Sequence, residues 1–195
     1  MKENRENGGI VSQLVISVRV VIFTMAVGCV LYTLLIFAVG QTLTPHTAEG
    51  SLVTDARGKV LGSELIAQKF SRRGYFWPRP SAVDYNASAA GGSNLSPTNP
   101  RLRERALEII GLEGTTADNP IPADLVTASG GGLDPHITLE AARYQVKRVA
   151  KARGLPEEEV MGIIENHALK SGGMLTPEPL VNVLLLNIEL DRTAE

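Results

Sequence analysis

Ser129, Asp134 and His136 carry the residue types of a nucleophile, an orienting acid and a general base within one short stretch. Members of such a triad normally converge from separate elements onto one site, and no Gly-x-Ser-x-Gly elbow occurs in the chain, so hydrolysis is the weaker reading of these three. Asp134 and His136 also offer two ligands to a metal. His46 and His167 are remote in sequence, however, and a closed site needs more donors; a turn residue ahead of Pro135 is the simpler role for Asp134. His167, near a helix end, suits the negative pole of that helix. The run Ser129-Gly130-Gly131-Gly132 supplies the free amides of an anion-binding loop. The phosphate-binding pattern requires Lys-Ser/Thr after its glycines, and Leu133-Asp134 follows here, so a plain turn is the better account. Asn86-Ala87-Ser88 and Asn94-Leu95-Ser96 match the N-glycosylation triplet, which matters only in a host that glycosylates.

Elements must hold these residues in place, and the most pronounced is apolar. Residues 20–48 contain no Asp, Glu, Lys or Arg, and twelve of the twenty residues 20–39 are Val, Ile, Leu or Phe. A helix over 20–43 is about 36 Å long, enough for a hydrocarbon core roughly 30 Å thick. Those twelve side chains favour insertion by about 4–7 kcal/mol. A cleaved secretory signal is the alternative, supported by Ala38-Val39-Gly40. Its apolar region would normally run only about 7–15 residues, so a retained anchor is the reading adopted. The organisation expected is a tail over 1–13, a transmembrane helix over 14–43 and a soluble domain over 44–195.

Lys2, Arg5 and Arg19 precede the span in a short tail, whereas Arg57 and Lys59 open a long domain where such charges weigh little. The tail is therefore expected in the cytoplasm and the domain outside. The net charge of −2 gives no basic face for nucleic acid. Cys29, the only cysteine, lies in the apolar run, which excludes disulfides and cysteine-ligated metals from the soluble part. One span without an intramembrane charge cannot enclose an ion path. Thr24 and Gly28 form a small-xxx-small pair suited to close approach of a partner helix.

Beyond the span, two β-prone runs around Asp55-Ala56-Arg57-Gly58 predict a hairpin, and Ser63 is expected to cap a short helix through Ala67. Residues 71–99 show no sustained period, yet Phe70, Tyr75, Phe76, Trp77 and Tyr85 are five of the six aromatics outside the membrane segment. Disorder fits such a composition poorly. Two readings stay open: the rings fill the domain's own core, or Tyr75, Phe76, Trp77 and Arg79, with Arg72 and Arg73, form a docking surface. Asn99 and Pro100 start a helix that Gly111 or Gly114 ends. Thr138 caps a helix with Ala142, Val146, Val149 and Ala150 inside and Gly154 as its stop. A further helix opens at Leu155-Pro156 with Val160, Ile163 and Ile164 inside, closed by Gly172 and Gly173. Residues 180–191 are apolar and fit a helix or a buried strand. The fold class expected is α+β: a single N-terminal transmembrane helix, then one mainly helical extracytoplasmic domain with a small β-hairpin or sheet.

The motifs in order go further. Tyr75-Phe76-Trp77-Pro78-Arg79-Pro80-Ser81-Ala82, Gly91-Gly92-Ser93-Asn94-Leu95 and Pro97-Thr98-Asn99-Pro100 resemble blocks of the C subunit of the Kdp-type potassium-transporting P-type ATPase. So do Pro122-Ala123-Asp124-Leu125, Gly132-Leu133-Asp134-Pro135-His136-Ile137, Arg148-Val149-Ala150-Lys151 and Val181-Asn182-Val183-Leu184. The resemblance covers nearly the whole chain. Trp77 stands where the family often has a smaller residue, and Lys147 where a proline is common. What the resemblance implies is an accessory, non-catalytic subunit of a high-affinity potassium uptake complex in a bacterial or archaeal plasma membrane. Its implied partners are a channel-like potassium-selective subunit and an ATP-hydrolysing P-type subunit. The resemblance further implies a catalytic chaperone that raises the pump subunit's ATP affinity. No cofactor is expected to be bound firmly; ATP enters only through the resemblance, with Gln145 matching a glutamine proposed to touch nucleotide. That implication conflicts with an exported domain, because ATP is cytoplasmic. Either the topology is reversed, the effect is indirect, or the nucleotide contact is absent. Set against this accessory role is a free-standing, membrane-anchored extracytoplasmic domain that binds a ligand or hydrolyses one.

Overall fold

A computed structural model describes residues 9–113, 115–116, 118–169 and 178–193, and the chain divides after Ser51 into two compact units. The first unit is one long helix, Ile10–Leu43, followed by a single turn. It consists of α1 (Ile10–Met25), a π-helical stretch (Ala26–Leu31) and α2 (Tyr32–Leu43), with α3 (Pro45–Ala48) after Thr44. None of the residues of α1, the π stretch or α2 is buried, the inverse of a soluble helix with this composition. The helix begins at Ile10, inside the stretch read as tail, and Arg19 lies within it. At roughly 1.5 Å per residue the 34 residues reach about 51 Å, so the uncharged residues 20–39 match the hydrocarbon thickness and Arg19 falls at its edge.

The second unit, from Leu52 onward, is α+β. Strands β1 (Leu52–Thr54) and β2 (Val60–Ser63) form the predicted antiparallel hairpin, its register shifting between Val53 and Thr54. The Asp55 carboxylate accepts the Arg57 and Lys59 amides and fixes the turn. The helix expected from Ser63 to Ala67 does not form. The Ser63 hydroxyl accepts the Leu65 amide (3.2 Å) in a turn, and the Ala67 amide instead bonds to the Leu133 carbonyl (2.9 Å). One turn of helix gains too few hydrogen bonds to repay its nucleation, so the tertiary bond wins.

Helix α4 (Pro100–Glu113) starts as predicted, with Asn99 Oδ1 accepting the Arg101 amide at 3.0 Å, and it continues through Gly111. Its stripe of Leu102, Ala106, Ile109 and Ile110 is only half-buried. The stretch after Pro122 forms the short α5 (Ala123–Val126).

The heart of the domain is a three-stranded antiparallel sheet, in order β3 (His136–Thr138), β5 (Leu180–Asn182) and β4 (Ala168–Leu169). With it are α6 (Leu139–Arg153), α7 (Glu157–Asn166) and α8 (Val183–Arg192). Thr138 caps α6 through the Ala141 amide (3.0 Å), and Gly154 ends it at φ 70°, a conformation that favours glycine. Three glutamates occupy the first turn of α7. That helix ends at Asn166; Gly172 and Gly173 lie outside the described residues. His167 follows as its C-cap, with Nδ1 2.9 Å from the Ile163 carbonyl oxygen. The apolar run after Pro179 is both alternatives in succession. Asn182 ends the strand by turning its side chain onto the Leu184 and Leu185 amides, which starts α8. Its Nδ2 also donates to the Glu64 carbonyl (2.8 Å), tying the segment after the hairpin to α8. The core is built from the inner faces of α6, α7 and α8, the sheet, Leu125, and one residue from the irregular run, Phe76.

Candidate functional site

The feature that sets this domain apart is how residues 72–77 are held. Residues 72–75 make a turn closed by the Tyr75 amide on the Arg72 carbonyl (3.1 Å), and Phe76 and Trp77 continue from it without a strand partner; side chains of α6 and α8 serve in place of one. Asn187 on α8 accepts the Phe76 amide (2.8 Å) and donates to the Phe76 carbonyl (3.0 Å). Gln145 on α6 does the same for the next residue, accepting the Trp77 amide (2.8 Å) and donating to the Trp77 carbonyl (3.1 Å). The two amides thus reproduce on consecutive residues the paired N–H and C=O bonding of a neighbouring strand.

Guanidiniums complete the arrangement. Arg148 donates to the Arg73 and Tyr75 carbonyls (2.7 and 2.9 Å) and to Gln145 Oε1, with its charged carbon 3.8 Å from the centre of the Trp77 ring. Arg153 donates to the Gly74 and Leu190 carbonyls (2.6 and 2.9 Å) and to Asp191 (2.7 Å). Tyr75 hydrogen-bonds Asp191 through its hydroxyl (3.0 Å), and the Trp77 indole donates to the Arg72 carbonyl (3.2 Å). Gln145, Arg148 and Arg153 on α6 and Asn187 and Asp191 on α8 therefore grip the chain from both sides.

This geometry decides what several candidate residues do within the domain. Phe76 is fully buried, so it is a core residue and leaves no surface for a partner, a correction to its place among the docking candidates. Tyr75 and Trp77 are half-buried, and each keeps one exposed side. Arg79 pairs with Asp134 at 3.1 Å. Gln145 is 0% exposed, and besides the two Trp77 bonds it donates to the Ala141 carbonyl (3.3 Å) and accepts from Arg148. A primary amide has two donor hydrogens and two acceptor lone pairs; all four positions of Gln145 are taken inside the domain. Thr24 bonds its own Val21 carbonyl (3.0 Å), and a Cβ at Gly28 would meet nothing, so the Thr24–Gly28 face of the apolar helix is open.

The second half of the irregular run meets the Ser129–Gly132 turn. The Gly91 amide donates to the Gly131 carbonyl (2.9 Å) and the Ser129 amide to the Pro80 carbonyl (3.0 Å). A Cβ on Gly92 would lie 2.5 Å from the Gly130 oxygen, and one on Gly132, at φ 71°, would lie 2.7 Å from Val83 Cγ2. The glycines are there so that two loops can touch; no anion cradle is needed to explain them. Ser129 is 3% exposed and unavailable as a nucleophile to a substrate. Asp134 accepts the His136 amide (3.0 Å), which makes it the turn residue the sequence suggests. Burial raises its pKa, but the His136 hydrogen bonds and the Arg79 guanidinium outweigh that, and the carboxyl ends below its ordinary value. Tyr85 donates to the Arg79 carbonyl (3.0 Å), and burial, with the neighbouring Asp84 charge, pushes its pKa up to about 12. Among the described residues no three His, Cys, Asp or Glu side chains gather to hold a metal.

Asn187, Arg148 and Arg153, all central to the clamp, were not singled out by sequence reasoning. A signal existed. Asn187 lies at helical spacing from Leu184 and Leu190, and Gln145 and Arg148 flank Val146 and Val149, so polar residues interrupt otherwise apolar faces. Buried polar groups need partners, and these faces announce them.

An apolar helix long enough to cross a membrane, with none of its residues buried, precedes a small α+β domain whose Ser129 is sealed, the arrangement of a membrane-associated subunit. Residues 14–192 match the family model described as KdpC, the K+-transporting ATPase c chain. The potassium-transporting ATPase KdpC subunit of Parvibaculum lavamentivorans is 53% identical over 176 residues, covering 90% of this chain and 94% of that one. Those of Myxococcus xanthus (46%, 93% and 88% covered) and Geobacter metallireducens (45%, 90% and 94%) are similar along the same length. The chain belongs to the KdpC family of potassium-transporting ATPase subunits.

Proposed function

We propose that the chain is a non-catalytic accessory subunit of an ATP-driven, high-affinity potassium uptake complex, and that any gain it brings in ATP affinity is exerted indirectly, through assembly. It is anchored in the plasma membrane with its N-terminus in the cytoplasm and its domain outside. Its partners are a channel-like, potassium-selective subunit and an ATP-hydrolysing P-type subunit, approached in part along the Thr24–Gly28 face of the helix.

The observation that carries this reading is the full hydrogen-bond complement of Gln145. A nucleotide bonded to that amide has to displace the Trp77 backbone or Arg148, and each buried group left without a partner costs about 1–3 kcal/mol. Arg19 at the edge of the uncharged span supports the orientation, since basic residues beside a span favour the cytoplasmic side.

The test is purification in mild detergent from potassium-limited cells. The two large subunits are expected to accompany the chain; recovery of the chain without either sinks the accessory reading. In the assembled complex, Gln145→Ala is expected to lower yield and melting temperature together while the complex that does assemble keeps its KM for ATP. A raised KM at full assembly restores direct nucleotide contact.

A further inference from the structure

A groove of about 880 Å³ opens in the domain between the β1–β2 turn, residues 68–72 and α8. Leu61, Phe70, Leu184 and Ile188 contribute apolar surface to it. Leu61 is 38% exposed, and Leu52 and Val60 on the same hairpin are 44% and 51% exposed. A two-stranded hairpin is marginal by itself, and exposing three large aliphatic side chains on one is unusual unless something covers them.

The charges around the groove are unequal in availability. Its two carboxylates are committed: Asp55 to the Arg57 and Lys59 amides, Asp191 to Arg153 and the Tyr75 hydroxyl. Arg57 and Arg72 line the same groove, and among the described residues neither has a carboxylate within 4 Å. Arg72 lies against the Tyr75 ring, 4.9 Å from its centre, and donates from Nη2 to the Tyr75 hydroxyl (3.1 Å), while the residue as a whole is exposed and has donors to spare. Lys69 and Arg192 are held only by exposed pairs, which exchange easily for a better partner. The surface on offer is thus cationic around an apolar floor.

We propose that this groove seats an acidic loop, flanked by apolar residues, from another subunit of the potassium-transporting complex. The inference rests on the accessory reading above. Surfaces that gather potassium are lined by carboxylates and carbonyl oxygens, so a subunit that conducts this ion presents the complementary sign. A carboxylate fits the fork of an unpaired arginine, and its apolar neighbours fit Leu61 and Ile188.

The experiment uses the full chain expressed with the rest of the complex. The double variant Arg57→Glu, Leu61→Glu changes exposed positions, and Lys151→Glu, exposed on α6, is the reference. The double variant is expected to lower the recovery of the two large subunits by about tenfold at an unchanged melting temperature, with Lys151→Glu like wild type. Recovery of the double variant at wild-type level overturns the groove alone; failure of the wild-type chain to recover either subunit overturns the accessory reading as well. A photo-crosslinking benzoylphenylalanine at position 61 identifies the occupant. An adduct with a subunit of the complex is expected, and an adduct with lipid or with a second copy of the chain refutes the assignment.

Discussion

The irregular run after Ser71 has two halves held by opposite means. Residues 72–77 are fixed by what surrounds them: Asn187, Gln145, Arg148 and Arg153 reach in from two helices and bond the backbone directly. Residues 81–92 are fixed largely by their own turns and by an absence of side chains. The Ser81 hydroxyl accepts the Val83 and Tyr85 amides, Asp84 and Tyr85 adopt positive φ (50° and 59°), and Gly91 and Gly92 lie against Gly130–Gly132. The first half therefore fails when a side chain is taken away, and the second when one is added. A long segment without regular structure is in this way as fully specified as a helix.

Removing Asn187 breaks the first half most severely. Asn187→Ala leaves the Phe76 N–H and C=O buried without partners, and a loss of about 3–5 kcal/mol in folding stability is expected from two orphaned groups and the cavity. Denaturant unfolding of the full chain in detergent measures it. Gln145→Ala follows at about 2–4 kcal/mol, because the half-buried Trp77 can recover part of its bonding from water. A change below about 1 kcal/mol in both means the amides only decorate a segment that packing already holds.

How much of this was legible follows the same division. The periodic elements were: the caps Asn99 and Thr138, the stop at Gly154 and the inner faces of α6 and α7 stand where the residue pattern puts them. Residues 180–191 read as helix or strand because the side chain of one residue, Asn182, decides the switch, and its partners are backbone amides invisible to periodicity. The helix after Ser63 was not legible because local capping competes with the bond from the Ala67 amide to the Leu133 carbonyl, a residue far along the chain that no local pattern shows. Of the site, Tyr75, Phe76, Trp77, Arg79 and Gln145 were marked by composition and resemblance. Their roles were not, since an amide aimed at nucleotide and an amide that closes a backbone look identical in sequence. Asn187, Arg148 and Arg153 act on residues far along the chain, and only the fold brings them together.

Adding a side chain tests the second half. Gly132→Val, at a positive φ and within 3 Å of both Val83 and the Gly91 oxygen, is expected to cost about 1–3 kcal/mol, and Gly92→Ala a similar amount through its clash with the Gly130 oxygen. Gly131→Ala is the control, because a Cβ there meets nothing within 4 Å, and it should change stability by less than about 0.5 kcal/mol. Equal effects at the three positions mean that chain flexibility, and not close approach, is what the glycines supply.

The smallest effect expected is electrostatic, at the seam where the two halves join. Asp134 holds Arg79 and the His136 amide, and its pKa is lower folded than unfolded. The unfolded chain therefore binds the proton more readily, so the contribution of Asp134 is present above the ordinary carboxylate value near 3.8 and is lost as the pH falls through the depressed folded value. The pair is partly exposed, with 26% and 37% of the two side chains accessible, which limits the gain to about 0.5–1 kcal/mol. Asp134→Asn should reduce stability by that amount at pH 7 and by less at pH 3, below the ordinary carboxylate value, where protonation has begun to remove the charge. Melting curves at the two pH values separate the outcomes. A loss that persists unchanged in acid shows that Asp134 works through its turn geometry, which asparagine should preserve, and removes charge from the account of how the front half is joined to the back.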